Sequence, residues 1–296
     1  MTRDKATWTG FSAVALWALL ALFTVASEPV PPFLLNALTF GIGGAVGIIW
    51  LAATGGLRSL RNVPLRAYAF GTLGLFGYHF LYFTALRMAP PAEAGLICYL
   101  WPLFIVVFSG LLPGETLRAG HLIGALMAFA GAALIVAGGI GELSGALAGY
   151  GVAFAAALTW TTYSLGSRRL QGVPTAAVAV NCLLTAFLSV GAHIGLEATI
   201  WPVDATGWLA VIALGLGPVG LAFYTWDIGV KGGDIQLLGT ASYAAPLLST
   251  LALVLAGMAK ASLSLALAAL LITGGAVLAA RAGSRRSGRL IRRRDA

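Results

Sequence analysis

Charge is scarce in this chain. Only 9% of its 296 residues are Asp, Glu, Lys or Arg, against 59% hydrophobic ones, and the mean hydropathy is +0.92. A soluble domain carries roughly a quarter charged residues, so a water-surrounded globule is excluded and an integral membrane protein is implied. Cysteine is equally rare. Cys98 and Cys182 both lie inside apolar stretches, which excludes a disulfide framework and a zinc site of spaced thiols; both read as small core residues. HExxH, CxxC and Ser/His/Asp arrangements are missing, and no Walker lysine follows Gly74 and Gly77. A membrane enzyme and an ATP-driven pump therefore lack support, and no cofactor or metal is expected. No cleavable signal is evident either, because the first apolar run is long enough to span and no obvious cleavage site precedes the next.

What is present is hydrophobic length. A helix needs about 20 apolar residues to cross the hydrocarbon core. Ten segments qualify, at 8–27, 32–53, 67–86, 92–111, 119–138, 148–166, 175–196, 207–230, 235–257 and 261–281, joined by short Gly- and Pro-rich linkers. If the N-terminus is cytoplasmic, all of the 18 basic residues except Arg87 and Lys260 fall on the cytoplasmic side. That bias predicts that both termini are inside. The +8 net charge sits largely in an Arg-rich tail, which reads as an anchor against anionic lipid rather than a nucleic-acid contact. Trp8, Trp50, Trp201, Trp208 and Trp226 fall near expected span ends, where an interfacial belt accounts for them. Trp17, Trp101 and Trp160 sit near span centres, where a belt does not.

Shifting the chain by 144 residues aligns it with itself from Gly71 to Ala280. Tyr99 then falls on Tyr243, Pro102 on Pro246, Gly131 on Gly275 and Leu134 on Leu278. Each copy holds five spans, an odd number, so the second enters the membrane from the opposite face. The expected fold is an all-α polytopic membrane protein of ten transmembrane helices arranged as two inverted five-helix repeats, residues 1–140 and 141–296. Such repeats place a binding site near the midplane between halves that exchange inward-open and outward-open shapes. Pro102 and Pro246 become symmetry mates in mid-span. An interior proline costs a helix about 3 kcal/mol, so the pair is expected to act as hinges or to shape a cavity; a static kink that improves packing is the alternative.

Few polar or aromatic groups stand at central depth. Span 3 offers Tyr78 and Tyr82 on one face with His79 beside them, and span 4 offers Tyr99 and Trp101. Span 6 places Trp160 and Tyr163 three apart, span 7 contributes Asn181, span 8 Tyr224, and span 9 Ser242 and Tyr243. Asp227, toward the cytoplasmic end of span 8, is the nearest carboxylate. Rings offer apolar and cation-attracting faces, and hydroxyl, amide and imidazole groups form hydrogen bonds. A small organic molecule with polar ends, such as an amino acid, fits this lining better than a bare ion, whose carriers carry intramembrane carboxylates. His79 reads either as a substrate or proton group or as a neutral core histidine. His121 and His193 read as interfacial, and Arg87 and Lys231, which pair under the repeat, as snorkelling anchors. Gly43-x-x-x-Gly47 and Gly71, Gly74 and Gly77 predict close helix approach.

On YLWP at 99–102, TWTTYS at 159–164, the opening MTRDKATWTG and WDIGVKGGDIQLLGTASYAAPLLS at 226–249, the chain resembles the EamA type of the drug/metabolite transporter superfamily, and within it the YddG-type aromatic amino-acid exporters. The resemblance covers nearly the whole length. It implies export of aromatic and other neutral amino acids across a bacterial inner membrane through a chamber lined by spans 3, 4, 6, 8 and 9, where Tyr78, His79, Tyr82, Tyr99, Trp101, Trp160, Tyr163 and Tyr243 stand. One departure from the repeat is Gly114-Glu115, answered by Met258-Ala259, which weakens a symmetric polar latch. A compact ten-span unit is able to work as a monomer, with a small molecule and the bilayer as its partners. Export of another metabolite or drug, and a passive channel, are the alternatives.

Overall fold

The computed structural model describes residues 1–136, 146–255 and 262–292, and every regular element among them is helical. Lys260, Met258-Ala259, Arg293, Arg294 and the expected junction at 140/141 lie outside the described residues. In chain order the α-helices are α1 (Arg3–Trp17), α2 (Leu20–Ala26), α3 (Pro32–Ala53), α4 (Leu65–Met88), α5 (Pro91–Cys98), α6 (Trp101–Ser109) and α7 (Ala119–Val136). They continue with α8 (Leu147–Arg169), α9 (Ala177–Leu196), α10 (Ala205–Leu216), α11 (Ala222–Gly232), α12 (Ile235–Ala241), α13 (Ala244–Leu255) and α14 (Leu263–Arg292). A π-helical turn, Gly217–Leu221, joins α10 to α11.

Four expected spans are therefore broken, three of them next to a proline. A proline offers no N–H to the carbonyl four residues back and crowds the preceding turn. The helix yields where that carbonyl would have been used, and the proline sits in the first turn of the next segment, where its missing donor does no harm. Pro102 lies in the first turn of α6, after a break at Tyr99 and Leu100, and Pro246 in the first turn of α13, after a break at Ser242 and Tyr243. Pro218 lies in the π turn. The break at Ala18 and Leu19, between α1 and α2, has no proline.

Six described helical stretches are long and apolar enough to cross a membrane: Arg3–Ala26, Pro32–Ala53, Leu65–Met88, Ala177–Leu196, Ala205–Gly232 and Leu263–Ala282. Glu93–Ser109 and Ala119–Leu134 are shorter apolar helices. Expected span 9 is split between α12 and α13. Expected span 6, α8, is long but less apolar, because it buries Trp160, Thr161, Tyr163 and Ser164 inside the bundle.

The main partners are α7 with α14, α3 with α9, α4 with α8 and α1 with α11, while α6 lies on α12. Glycine permits the tightest approaches. A Cβ at Gly124 would stand 2.5 Å from the Gly275 carbonyl oxygen, and one at Gly275 2.4 Å from that of Gly124. Gly43 lies against Gly220, and Gly74 against the Tyr163 side chain. Gly124→Val is expected to push α7 from α14 and to destabilise the protein by about 1–3 kcal/mol, read as a lower Tm in detergent. Gly191→Ala, with nothing within 4 Å of its Cβ, should lower it not at all.

Four of the five tryptophans assigned to a belt are exposed: Trp8, Trp50, Trp201 and Trp208. Trp226 is not; it is completely buried, because α11 turns that face onto α1 and α8. His121 and His193 are likewise buried rather than interfacial. Arg118 N–H donates to His121 Nδ1 (3.3 Å), and His193 bridges Glu197 Oε2 (2.9 Å) and Thr199 Oγ1 (2.8 Å). Arg87 and Lys231 are paired rather than snorkelling alone: Arg87 meets Glu197 at 2.6 Å, and Lys231 meets Asp227 at 2.8 Å and the Val173 carbonyl at 2.9 Å.

Candidate functional site

The inner faces of α1, α4, α6, α8 and α11 converge on a continuous assembly of rings. Trp17, Trp101, Trp160 and Trp226 form a tetrad in which every pair touches, with centroids from 5.1 Å (Trp17–Trp226) to 6.3 Å (Trp160–Trp226) apart. Edge-to-face and offset contacts at such distances are the favoured aromatic geometries. Two indoles are tied down: Trp17 Nε1 donates to the Pro218 carbonyl and Trp226 Nε1 to Ser164 Oγ, each at 3.1 Å. Trp160 Nε1 is buried with no partner.

From this tetrad the rings continue along α4. Tyr78 lies 5.1 Å from Trp160 and stacks on Tyr82 at 5.9 Å. His79 stands edge-on to Tyr78 (5.1 Å) and to Phe40 (5.0 Å), with its Nδ1 2.7 Å from the Leu75 carbonyl. Tyr163 lies 5.3 Å from Trp160 on the same α8 face. Burial differs along the assembly: Trp101, Trp160, Tyr163, Phe223 and Trp226 are buried, whereas Tyr78, His79, Tyr82 and Tyr99 are partly exposed. Gly95, on the turn before Tyr99, has nothing within 4 Å of where a Cβ would be. Three tryptophans of the tetrad are thus closed in, whereas Trp17 and the α4 rings keep part of their surface exposed.

Of the eleven lining residues expected from the sequence, Tyr78, His79, Tyr82, Trp101, Trp160 and Tyr163 belong to this one assembly. Tyr99 packs in a neighbouring cluster with Leu103 and Phe129, which also holds the fully buried Tyr243. The Tyr243 hydroxyl accepts from Leu103 N–H at 3.1 Å, meeting a donor that the break before Pro102 leaves free. Ser242 is buried and donates to the Leu238 carbonyl (2.8 Å). The Tyr224 hydroxyl donates to the Gly43 carbonyl (3.0 Å), and its side chain packs against the core that holds the tetrad without a ring contact to it. Asn181 lies against Gly71 with its Oδ1 unpartnered, on a cavity of about 20 Å³ shared with Tyr163, Asp227 and Lys231, room for a single water.

Trp17, Phe40, Phe223 and Trp226 were absent from the expected lining. The spacing of Phe223, Trp226 and Val230, all buried on α11, was a legible signal of one inward face. Buried charge is also more plentiful than the sequence implied, though it stands at the two ends. At one end Glu115, with a side chain 4% exposed, pairs with Arg168 and with Arg3 (3.4 Å); Arg3 also reaches Asp234 (3.1 Å). Arg168 donates to the carbonyls of Val230 (2.8 Å) and Gly233 (3.0 Å). At the other end Glu197 takes Arg87, His193 and the backbone N–H groups of Phe33 and Leu34, and the buried Glu93 accepts from the Tyr150 hydroxyl. Glu93 lies inside the expected fourth span, and the sequence reading passed over it. Among the described residues no three His, Cys, Asp or Glu side chains gather as a metal site.

The family model of the EamA-like transporter family matches this chain twice, over residues 5–137 and 147–281. An aromatic amino acid exporter YddG of Ancylobacter novellus is 56% identical over 94% of this chain and 98% of its own length. The protein of the same name from Escherichia coli is 25% identical over 94% and 97%. A solved crystal structure superposes with a TM-score of 0.90 at 56% identity, covering 94% of this chain and 98% of the other. A bundle of apolar helices that buries rings at its centre and confines ion pairs to its ends is what a polytopic carrier requires, and the chain belongs to the EamA-like transporter family.

Proposed function

We propose that this protein exports aromatic and other neutral amino acids across the bacterial inner membrane by alternating access. Its halves are residues 1–140 and 141–296, inverted with respect to each other, with both termini in the cytoplasm. The observation that carries the reading is an asymmetry between repeat mates. Tyr99 is partly exposed, while Tyr243, 144 positions on, is fully buried and holds the Leu103 N–H. Two equivalent tyrosines in opposite environments are expected of a two-state carrier caught in one state. In the other state Tyr99 and Tyr243 exchange roles, the broken helices at Pro102 and Pro246 serving as the hinges.

Packing supports the repeat. The 144-residue shift carries α7 onto α14, and the approaches of Gly124 to the Gly275 carbonyl and of Gly131 to the Ala268 carbonyl exchange under it. It also exchanges the α1–α11 contact with the α8–α4 contact. The substrate class follows from chemistry: an uncharged, ring-lined chamber receives aromatic side chains by stacking, and the ammonium group faces ring quadrupoles. Two relatives bearing the name of aromatic amino acid exporter agree with it.

Tyr99→Ala and Trp101→Ala are each expected to lower the flux of a labelled aromatic amino acid in proteoliposomes by about tenfold, equivalent to about 1.4 kcal/mol, with folded protein retained. Unchanged flux in both would remove them from the site. Saturation and trans-stimulation by unlabelled substrate are expected; linear flux without trans-stimulation would instead mean a channel.

A further inference from the structure

We infer that the end of the bundle clamped by Glu115 carries a second amino-acid site, a vestibule apart from the ring-lined chamber that takes a zwitterion with an aromatic side chain. A cavity of about 310 Å³ lies there between α1, the segment after α6, α12 and α14. Its wall offers both signs of charge: Arg3 and Arg118 against Asp4, Glu115 and Asp234. A bare anion would face three carboxylates and a bare cation two guanidinium groups. A zwitterion sets its carboxylate toward the arginines and its ammonium toward the acids, and so meets both.

Two further features select the ligand. Trp8 and Phe11 line the same cavity and stand edge-to-face at 5.3 Å, an open aromatic pair for a ring to join. His121 also lines it and is only 2% exposed. Its Nδ1 accepts from Arg118 N–H, so in the neutral ring the proton is on Nε2, and Nε2 is buried without a partner. Buried donors normally have acceptors, and a ligand carboxylate beside Arg118 would supply one.

The vestibule is coupled to the clamp. Arg3 divides its guanidinium between Glu115 and Asp234, and a carboxylate arriving beside it competes with Glu115. Loading this site therefore loosens the contact that holds α1 to the segment after α6. The choice of ligand rests on the exporter reading; the existence of the site does not.

Equilibrium binding of labelled phenylalanine to the full chain in lipid nanodiscs tests both separately. Two sites per chain are expected. His121→Leu should weaken one of them by about tenfold and leave the other, while His121→Gln, which keeps an N–H donor, should retain both. Trp8→Ala, at a ring 72% exposed and so harmless to folding, should weaken the same site as His121→Leu. Trp101→Ala should weaken the other by about tenfold. A single native site untouched by His121→Leu and Trp8→Ala overturns the vestibule and leaves the exporter reading intact. Loss of all binding in His121→Leu with none in Trp101→Ala supports the vestibule and removes the chamber. Binding of inorganic phosphate at this end in preference to phenylalanine overturns the zwitterion assignment.

Discussion

Glu197→Ala is expected to destabilise the folded protein by about 3–5 kcal/mol, among the largest effects of any single substitution outside the rings. The first turn of a helix leaves its N–H groups without internal partners, and α3 begins at Pro32 with no side-chain cap of its own. Glu197, far away in sequence, supplies the cap: its carboxylate accepts from Phe33 N–H (3.0 Å) and Leu34 N–H (3.1 Å). Each hydrogen bond to a charged group contributes about 1.5–3 kcal/mol, and the substitution removes two of them. The Arg87 pair adds little, because that arginine side chain is 42% exposed and such pairs contribute about 0–1 kcal/mol. His193, 7% exposed at its side chain, also loses one of its two partners and keeps Thr199. The measurement is the Tm in detergent. Glu197→Gln, which keeps an acceptor oxygen, should lose about half as much, and an unchanged Tm in Glu197→Ala would sink the capping role.

Trp160→Ala has the second large effect, and it reaches function as well as stability. This indole touches Tyr78, Tyr163, Phe223 and the other three tryptophans of the tetrad. Removing a buried ring of this kind costs about 3–5 kcal/mol. It also deletes the ring on which Tyr78 and Tyr163 pack, so flux per folded molecule should fall by about tenfold or more. Because Nε1 has no partner, Trp160→Phe forfeits no hydrogen bond and should lose under about 1.5 kcal/mol. Normalising proteoliposome flux to folded protein separates the two consequences. A normal normalised flux in Trp160→Ala would mean that the ring only packs.

The places where sequence reading succeeded and failed share a physical logic. Six of the ten expected spans announced themselves through length and hydropathy, and the helix breaks near 99 and 242 through the two prolines, since both follow from bonds within one segment. Trp101 and Trp160 stood out because no belt accounts for an indole at mid-span. Trp226 did not, because its depth near a span end looks the same whether it faces lipid or protein; only the contact of α11 with α1 and α8 distinguishes them. His121 and His193 were misplaced for that reason. Glu93 was hidden by the apolar run that follows it.

Long-range pairing was illegible for another reason. Glu115 with Arg168, and Glu197 with the start of α3, join residues 53 and 164 positions apart, and no periodicity encodes such a distance.

The sequence by itself determined that this is a helical membrane protein with charge kept to its ends, two copies of one pattern, and rings where charge would be costly. These follow from composition and local order, which the bilayer reads segment by segment. Only the tertiary structure decided which rings meet, which buried carboxylates clamp which end, and that Tyr243 is fully buried while Tyr99 is only partly so. Those outcomes depend on how helices cross, and a crossing is a relation between segments that neither segment carries alone.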